Sequence, residues 1–231
     1  MTYDQSVLPD VSGLSVGIIG GTGPQGRGLA YRFARAGQRV LVGSRSMERG
    51  QHAAQELREM PGVEPGVVDG GDNAFAAAAD IVIVAVPWEG HAGIVSELAP
   101  LLTDGKIVVD CVNPLGFDKQ GPYPLRVEEG SAAEQAATLL PEARVCAAFH
   151  HVSAVLLADP EVEAMDLDVL VLSDDREAAE QVQALAGRIS GMRGVFAGRL
   201  RNAGQVEALT ANLIAMNRRY KAHAGIRVTD L

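Results

Sequence analysis

The stretch VGIIGGTGPQG, Val16 to Gly26, constrains this chain more than any other. Apolar and β-branched residues lead straight into glycines at 20, 21, 23 and 26, and the residues beyond favour a helix. Gly21-x-Gly23-x-x-Gly26 therefore reads as a strand-to-helix turn. Gly21 permits a tight turn, Gly23 lets backbone approach a diphosphate, and Gly26 lets the helix lie close to its strand. A helix start offers N–H groups without partners and a partial positive charge, so the ligand expected there is an anion. Pro24 suits the first helical turn, where its missing N–H costs little. Thr22 adds a hydroxyl within the turn.

The rest of the chain repeats the strand-then-helix pattern. Residues 14–19, 38–43, 80–86, 105–112, 143–149 and 167–173 read as strands, several of them apolar throughout. Such strands are covered by helices on both faces. Residues 25–36, 47–60, 72–79 and 91–98 read as helices, as does the amphipathic run within 173–190. The alternation predicts an α/β fold: a Rossmann-type, doubly wound, mainly parallel sheet. From 202 to about 223 one further helix is expected, with Val206, Leu209, Leu213, Met216 and Tyr220 as an apolar stripe. That stripe must pack on its own sheet or on a second subunit. The longest loop-like stretch is 112–131, and loops of that length in a compact domain are often functional. The division implied is an NADP-binding domain over 1–198, with an N-terminal arm at 1–13. A small helical segment over 199–231 follows it.

Composition narrows the class of partner. A net charge of −9 argues against a general nucleic-acid binder. Yet residues 188–231 hold eight of the 20 Lys and Arg and only two of the 29 acids, so the C-terminal end is basic on an acidic body. No apolar run is long enough to span a bilayer, and the first ten residues lack the features of a signal peptide, so a cytoplasmic location is expected. Cys111 and Cys146 each sit in or at the end of an apolar run and read as buried thiols; no ligand cluster suggests a metal.

NAD sites place an acid about 20 residues past the glycine turn, at the end of the second strand. Here Ser44 and Arg45 stand there, with Arg49 one helical turn later. A hydroxyl and two guanidinium groups suit a ribose 2′-phosphate, through charge-assisted, forked hydrogen bonds. The expected cofactor is NADP. In such sheets ligands sit beyond the carboxyl ends of the strands, at the switch point. Three segments arrive there: Pro87 and Trp88, the sole tryptophan; Asn113 and Pro114; and His150, His151 and Ser153. Trp88 could border a flat cofactor ring or serve a core. His150 is the candidate for a proton role. The tyrosine–lysine pair of short-chain reductases is missing, since Tyr123 has no Lys four residues on. A reductase without an evident proton donor suits an acceptor that needs little acid–base help, with the protein mainly setting two rings face to face.

The segments IIGGTGPQGRGLA, VLVGSRS, VAVPWEGH, VDCVNPLG, AFHHVSAV and EALTANLIAMNRRYKAHAGI, in this order, resemble the NADPH-dependent reductases of coenzyme F420, the 8-hydroxy-5-deazaflavin carrier. The resemblance runs from about Leu14 to Ile226. It implies reversible hydride transfer between C4 of the nicotinamide and C5 of the deazaflavin. It implies that Thr22, Gly23, Pro24 and Gln25 lie along the NADP diphosphate and that Ser44, Arg45 and Arg49 hold the 2′-phosphate. Pro87 and Trp88 would approach the adenosine or nicotinamide side, with Ala154 under the nicotinamide. His150 and the backbone at Val152 would face the deazaflavin, with Thr210 nearby. Gly204 and Ala208 stand where some members carry Arg and Ser, which leaves Thr210 as the main polar candidate of the last helix. The basic C-terminal end could attract the anionic tail of the deazaflavin carrier, and a homodimer through the last helix is expected. Two alternatives fit the residues less fully: an NADP-linked reductase of a small imine or carbonyl, and a non-catalytic NADP-sensing protein.

Overall fold

The computed structural model describes residues 7–231. Residues 1–6 of the expected N-terminal arm lie outside them. The described part of the arm is tied to the body by Gln38, whose Nε2 donates to the carbonyls of Val11 and Leu14.

Among the described residues ten strands and eight α-helices follow in chain order. They are β1 (Ser15–Ile19), α1 (Pro24–Arg35), β2 (Arg39–Ser44), α2 (Met47–Arg58), β3 (Val68–Asp72), α3 (Asn73–Ala77), β4 (Ile81–Val84), α4 (Trp88–Leu98) and β5 (Ile107–Asp110). Then come β6 (Leu115–Asp118), β7 (Gly121–Pro124), α5 (Ala132–Leu139), β8 (Arg144–Ala147), α6 (Ala154–Ala158), β9 (Leu167–Ser173), α7 (Arg176–Ala186), β10 (Met192–Gly198) and α8 (Ala203–Tyr220). Eight strands form one sheet in the order β10-β9-β8-β5-β4-β1-β2-β3. Neighbours from β3 to β8 are parallel; β9 runs antiparallel to β8 and parallel to β10. This is the doubly wound, mainly parallel α/β sheet that the alternation implies. The strand order reverses between β1 and β4, which makes that crevice the switch point.

The core lies in two layers because β1 alternates. Val16 and Ile18 face a cluster shared with α1, α2, α6 and α7, and Ile19 faces one shared with α3, α4, α5 and α8. Each fully buried Ile, Leu or Phe contributes on the order of 1.5–3 kcal/mol. Short polar side chains start the helices: Ser46, Asp72, Ser131, Ser153 and Asp175 each accept a first-turn N–H.

The structure differs from the sequence reading in several elements. β3 was not expected, because its sequence VDGGD lacks strand formers. Its glycines are needed for packing: a Cβ on Gly70 would come within 2.1 Å of the Gly50 carbonyl oxygen of α2. β10, α5 and α6 were also not expected. The 112–131 stretch is not only a loop; it carries the β6–β7 hairpin. Helix α4 begins at Trp88, directly after Pro87, and not at 91. The expected stripe on α8 divides: Val206 and Leu213 are buried, whereas Leu209, Met216 and Tyr220 are exposed, as are Phe117 and Tyr123 of the hairpin. Beyond α8 the chain returns to the sheet, where the Asp168 N–H donates to the Ile226 carbonyl and the Val228 N–H to the Asp168 carboxyl. Among the described residues no helix is long and apolar enough to cross a membrane.

Candidate active site

The glycine turn closes at the carboxyl end of β1. Gly20 takes the left-handed backbone, with φ +76°, and accepts from the Gly23 N–H at 3.0 Å. The position that requires glycine's left-handed backbone is therefore Gly20, one residue ahead of the motif. The Gly21 N–H donates to the Gly43 carbonyl at 2.8 Å, which ties the turn to the end of β2. The glycines differ in what requires them. A Cβ on Gly26 would meet the Gly20 carbonyl oxygen at 2.7 Å, and one on Gly21 would meet the Val42 side chain at 2.9 Å. At Gly23 the nearest atom would be 3.4 Å away, so protein packing alone explains its bareness poorly. No side chain caps α1, whose first residue is Pro24. The open side of Gly23 and the uncapped helix start are what a diphosphate needs.

A cleft of about 290 Å³ opens there, lined by Gly23, Pro24, Gln25, Val86, Pro87 and Trp88, with Cys111 and Asn113 at its far side. It lies across the ends of β1, β4 and β5, at the switch point. A larger groove of about 880 Å³ between α7 and β10 has no glycine turn on its walls. At the end of β2, Ser44 is buried, while Arg45 and Arg49 are exposed and form no ion pair among the described residues. The residues expected to hold the 2′-phosphate thus cluster one strand from the glycine turn.

The β8 end is drawn in by backbone. Phe149 adopts φ +64°, sparsely populated for a non-glycine residue, and Gln25 Nε2 donates to its carbonyl at 3.2 Å. The next carbonyl, of His150, receives Asn113 Nδ2 at 2.9 Å and lies 3.2 Å from Thr210 Oγ1. Three elements therefore meet at one carbonyl: the β5 exit, the β8 exit and α8. Val152 is buried just beyond. Ala154 is half-buried at the first position of α6. Arg32 of α1 holds α6 in place, donating to the carbonyls of Leu156, Leu157, Asp159 and Val162.

Behind this surface lies a buried polar group that sequence reasoning missed. His91 Nε2 lies 2.6 Å from Asp110 Oδ2, and its Nδ1 lies 2.8 Å from Gln135 Oε1. Glu207 of α8 accepts the N–H groups of Ala132 and Ala133 at the start of α5, and its Oε1 is 4.0 Å from His150 Nε2. Burial pushes the Glu207 carboxyl up to about 7, against the pull of the two N–H groups. Burial pushes His150 down to about 4, and His151 likewise, with the neighbouring His150 adding to the fall. Both rings are buried, and among the described residues neither nitrogen of His150 has a hydrogen-bond partner. His151 Nε2 lies 3.4 Å from the Leu170 N–H of β9. Burial raises both cysteine thiols, so they stay protonated and inert.

The chain resembles known proteins over nearly its whole length. The profile of the family described as NADP oxidoreductase, coenzyme F420-dependent, matches residues 15–114. The F420-dependent NADP reductase of Methanothermobacter thermautotrophicus is 40% identical over 224 residues, covering 94% of this chain and 96% of that one. That of Methanocaldococcus jannaschii is 35% identical, covering 94% and 99%. A crystal structure from Arthrobacter sp. FB24, described as a candidate F420-dependent NADP reductase, superposes with a TM-score of 0.76 at 27% identity, over 94% of this chain and 100% of that one. An α/β sheet with its cleft at the switch point, and relatives matched end to end at this identity, lead to one assignment: the chain belongs to the family of coenzyme F420-dependent NADP oxidoreductases.

Proposed function

We propose that this protein catalyses reversible hydride transfer between NADP(H) and coenzyme F420. The observation that supports the reading is the convergence of the glycine turn, Trp88 and Asn113 on one cleft, with the Asn113 side chain bonded to the His150 carbonyl, in a chain 40% identical to an F420-dependent NADP reductase. When both are bound, the nicotinamide supplies or takes the hydride at C4 and the deazaflavin at C5.

The chain's own residues bind and orient. Gly21, Thr22, Gly23, Pro24, Gln25 and Gly26 receive the diphosphate on backbone at the α1 start. Ser44, Arg45 and Arg49 hold the 2′-phosphate. Two exposed guanidinium groups without side-chain partners among the described residues suit an arriving dianion. Pro87 and Trp88 wall the cleft on one side, and Ala154 on α6 underlies the nicotinamide. His150, the backbone at Val152 and Thr210 face the deazaflavin. His150 is the proton-handling candidate; Glu207 lies within ion-pair reach of its ring. Segment 199–231 carries the acceptor side and the face for a second copy, the exposed Leu209, Met216 and Tyr220 being what a homodimer would cover. Sedimentation at micromolar protein tests this, and a monomer removes it.

The activity test is direct. Protein, NADPH and purified coenzyme F420 are mixed, and the visible band of the oxidised deazaflavin is followed. Bleaching is expected. A protein that binds NADPH yet leaves that band intact, while reducing an imine or nothing at all, overturns the reading.

A further inference from the structure

His91 has no part in the reading above, yet it is among the most constrained side chains in the molecule. It is fully buried one turn along α4 from Trp88, and its ring stacks on the indole with centroids 5.6 Å apart and planes 26° from parallel. Its hydrogen-bond partners constrain its protonation. Gln135 Nε2 faces both carboxylate oxygens of Glu129 at 3.3 Å, so the amide nitrogen points there and Oε1 points at His91 Nδ1. An amide oxygen only accepts, so Nδ1 carries a proton. The Asp110 carboxyl accepts at Nε2, while its other oxygen takes the Val112 N–H at 3.0 Å. With the Asp110 carboxyl ionised, both ring nitrogens donate, as in an imidazolium. Burial alone would lower the His91 pKa, but the Asp110 bond and charge, Gln135 and the charge of Glu207 outweigh it and raise it. The charged or titratable groups around the ring are Asp110 from β5, Glu207 from α8 and the neutral His150 beyond β8.

We propose that His91 is a positioning residue, an imidazolium fixed between Asp110 and Gln135 whose stacking sets the Trp88 wall of the cofactor cleft. A cation against an indole face is held by the ring's quadrupole as well as by contact, so the stack resists rotation of Trp88 about its side-chain bonds. Three elements, α4, α5 and β5, thereby determine the orientation of one cleft wall. The inference rests on the reading that this cleft seats the nicotinamide half of NADP.

Trp88 is the sole tryptophan, so its emission reports on this stack alone. A protonated imidazole in contact quenches indole emission. In the wild-type protein, emission should rise in one step on the alkaline side of the ordinary imidazole range. His91→Gln, which keeps an amide for Asp110, should abolish the step, and Asp110→Asn should move it to lower pH. With NADPH and coenzyme F420, His91→Gln should lower kcat about tenfold and change the NADPH KM less than about threefold, as misorientation does. Should His91→Gln not fold, Gln135→Leu at a half-buried position gives the same readouts, with an earlier step and a smaller fall in kcat. Persistence of the step in His91→Gln, or kcat unchanged in the folded variant, overturns the proposal. Wild-type emission that ignores NADPH overturns the cleft reading itself, a separate result.

Discussion

Two charged regions flank the cleft, and they are built in opposite ways. At the end of β2, Arg45 and Arg49 are exposed and unpaired among the described residues. Behind the ends of β4 and β5, His91, Asp110 and Glu207 are buried and bonded within the chain. The first arrangement leaves the folded protein nearly indifferent to its charges and, on the proposed reading, makes the 2′-phosphate depend on them. In the second, the desolvated charges must be matched inside the protein, and a ligand meets them only through the surface they support. Exposed charge recognises; buried charge organises.

The largest separation of the two regions should appear in stability. Asp110→Leu leaves the buried His91 imidazolium without its partner and should destabilise by about 3–5 kcal/mol, read by urea unfolding. Arg45→Ala should stay within about 0.5 kcal/mol of wild type. Equal losses would erase the distinction. Cofactor choice comes next and should respond the other way. Ser44→Glu combined with Arg45→Ala removes charge-assisted bonds and adds a like charge, so the preference for NADPH over NADH should fall about a hundredfold in kcat/KM. An unaltered preference would move the 2′-phosphate elsewhere.

Acid titration separates the groups further. Glu207 is raised to about 7 in the folded chain, so the folded state holds its proton longer than the unfolded one. Its contribution to stability is present below the unfolded value of about 4.5 and is lost as pH rises through 7, on the order of 3 kcal/mol. His150 and His151, lowered to about 4, act with opposite sign: their contribution is complete above the ordinary imidazole value and is lost as pH falls towards 4. The difference between wild-type and Glu207→Gln unfolding curves across this window isolates the carboxyl; a flat difference would mean that Glu207 titrates normally. The smallest effect belongs to the basic end. Replacing Arg201, Arg218 and Arg219, all exposed, should raise the coenzyme F420 KM about twofold at low salt and flatten its ionic-strength dependence. Arg188, Arg193 and Arg227 are excluded from that set because they bond within the chain, Arg188 to Gln38 and Ala36 and the other two to Asp168.

Much of this was readable along the chain because it rests on local pattern. Apolar runs marked β1, β2, β4, β5, β8 and β9, and the glycine turn marked the start of α1. Ser44 and Arg45, standing where an acid is usual, are the residues from which the sequence leads to the 2′-phosphate proposal. The polar group behind the cleft left no comparable trace. His91 belongs to α4, Asp110 to β5, Gln135 to α5 and Glu207 to α8, and no spacing relates them. One local signal existed. Trp88 and His91 are three residues apart, the spacing of neighbours on a helix face, but only if the helix begins right after Pro87.

The sequence by itself determined the parallel α/β architecture, the glycine turn between β1 and α1 and the expectation of NADP, because strand burial, glycine conformation and strand-end chemistry are encoded over a few adjacent residues. Only the tertiary structure decided what stands behind the cleft. There the low-polarity interior requires each buried charge to find a partner, and those partners come from segments that the fold, and not the order of residues, brings within 3 Å of each other.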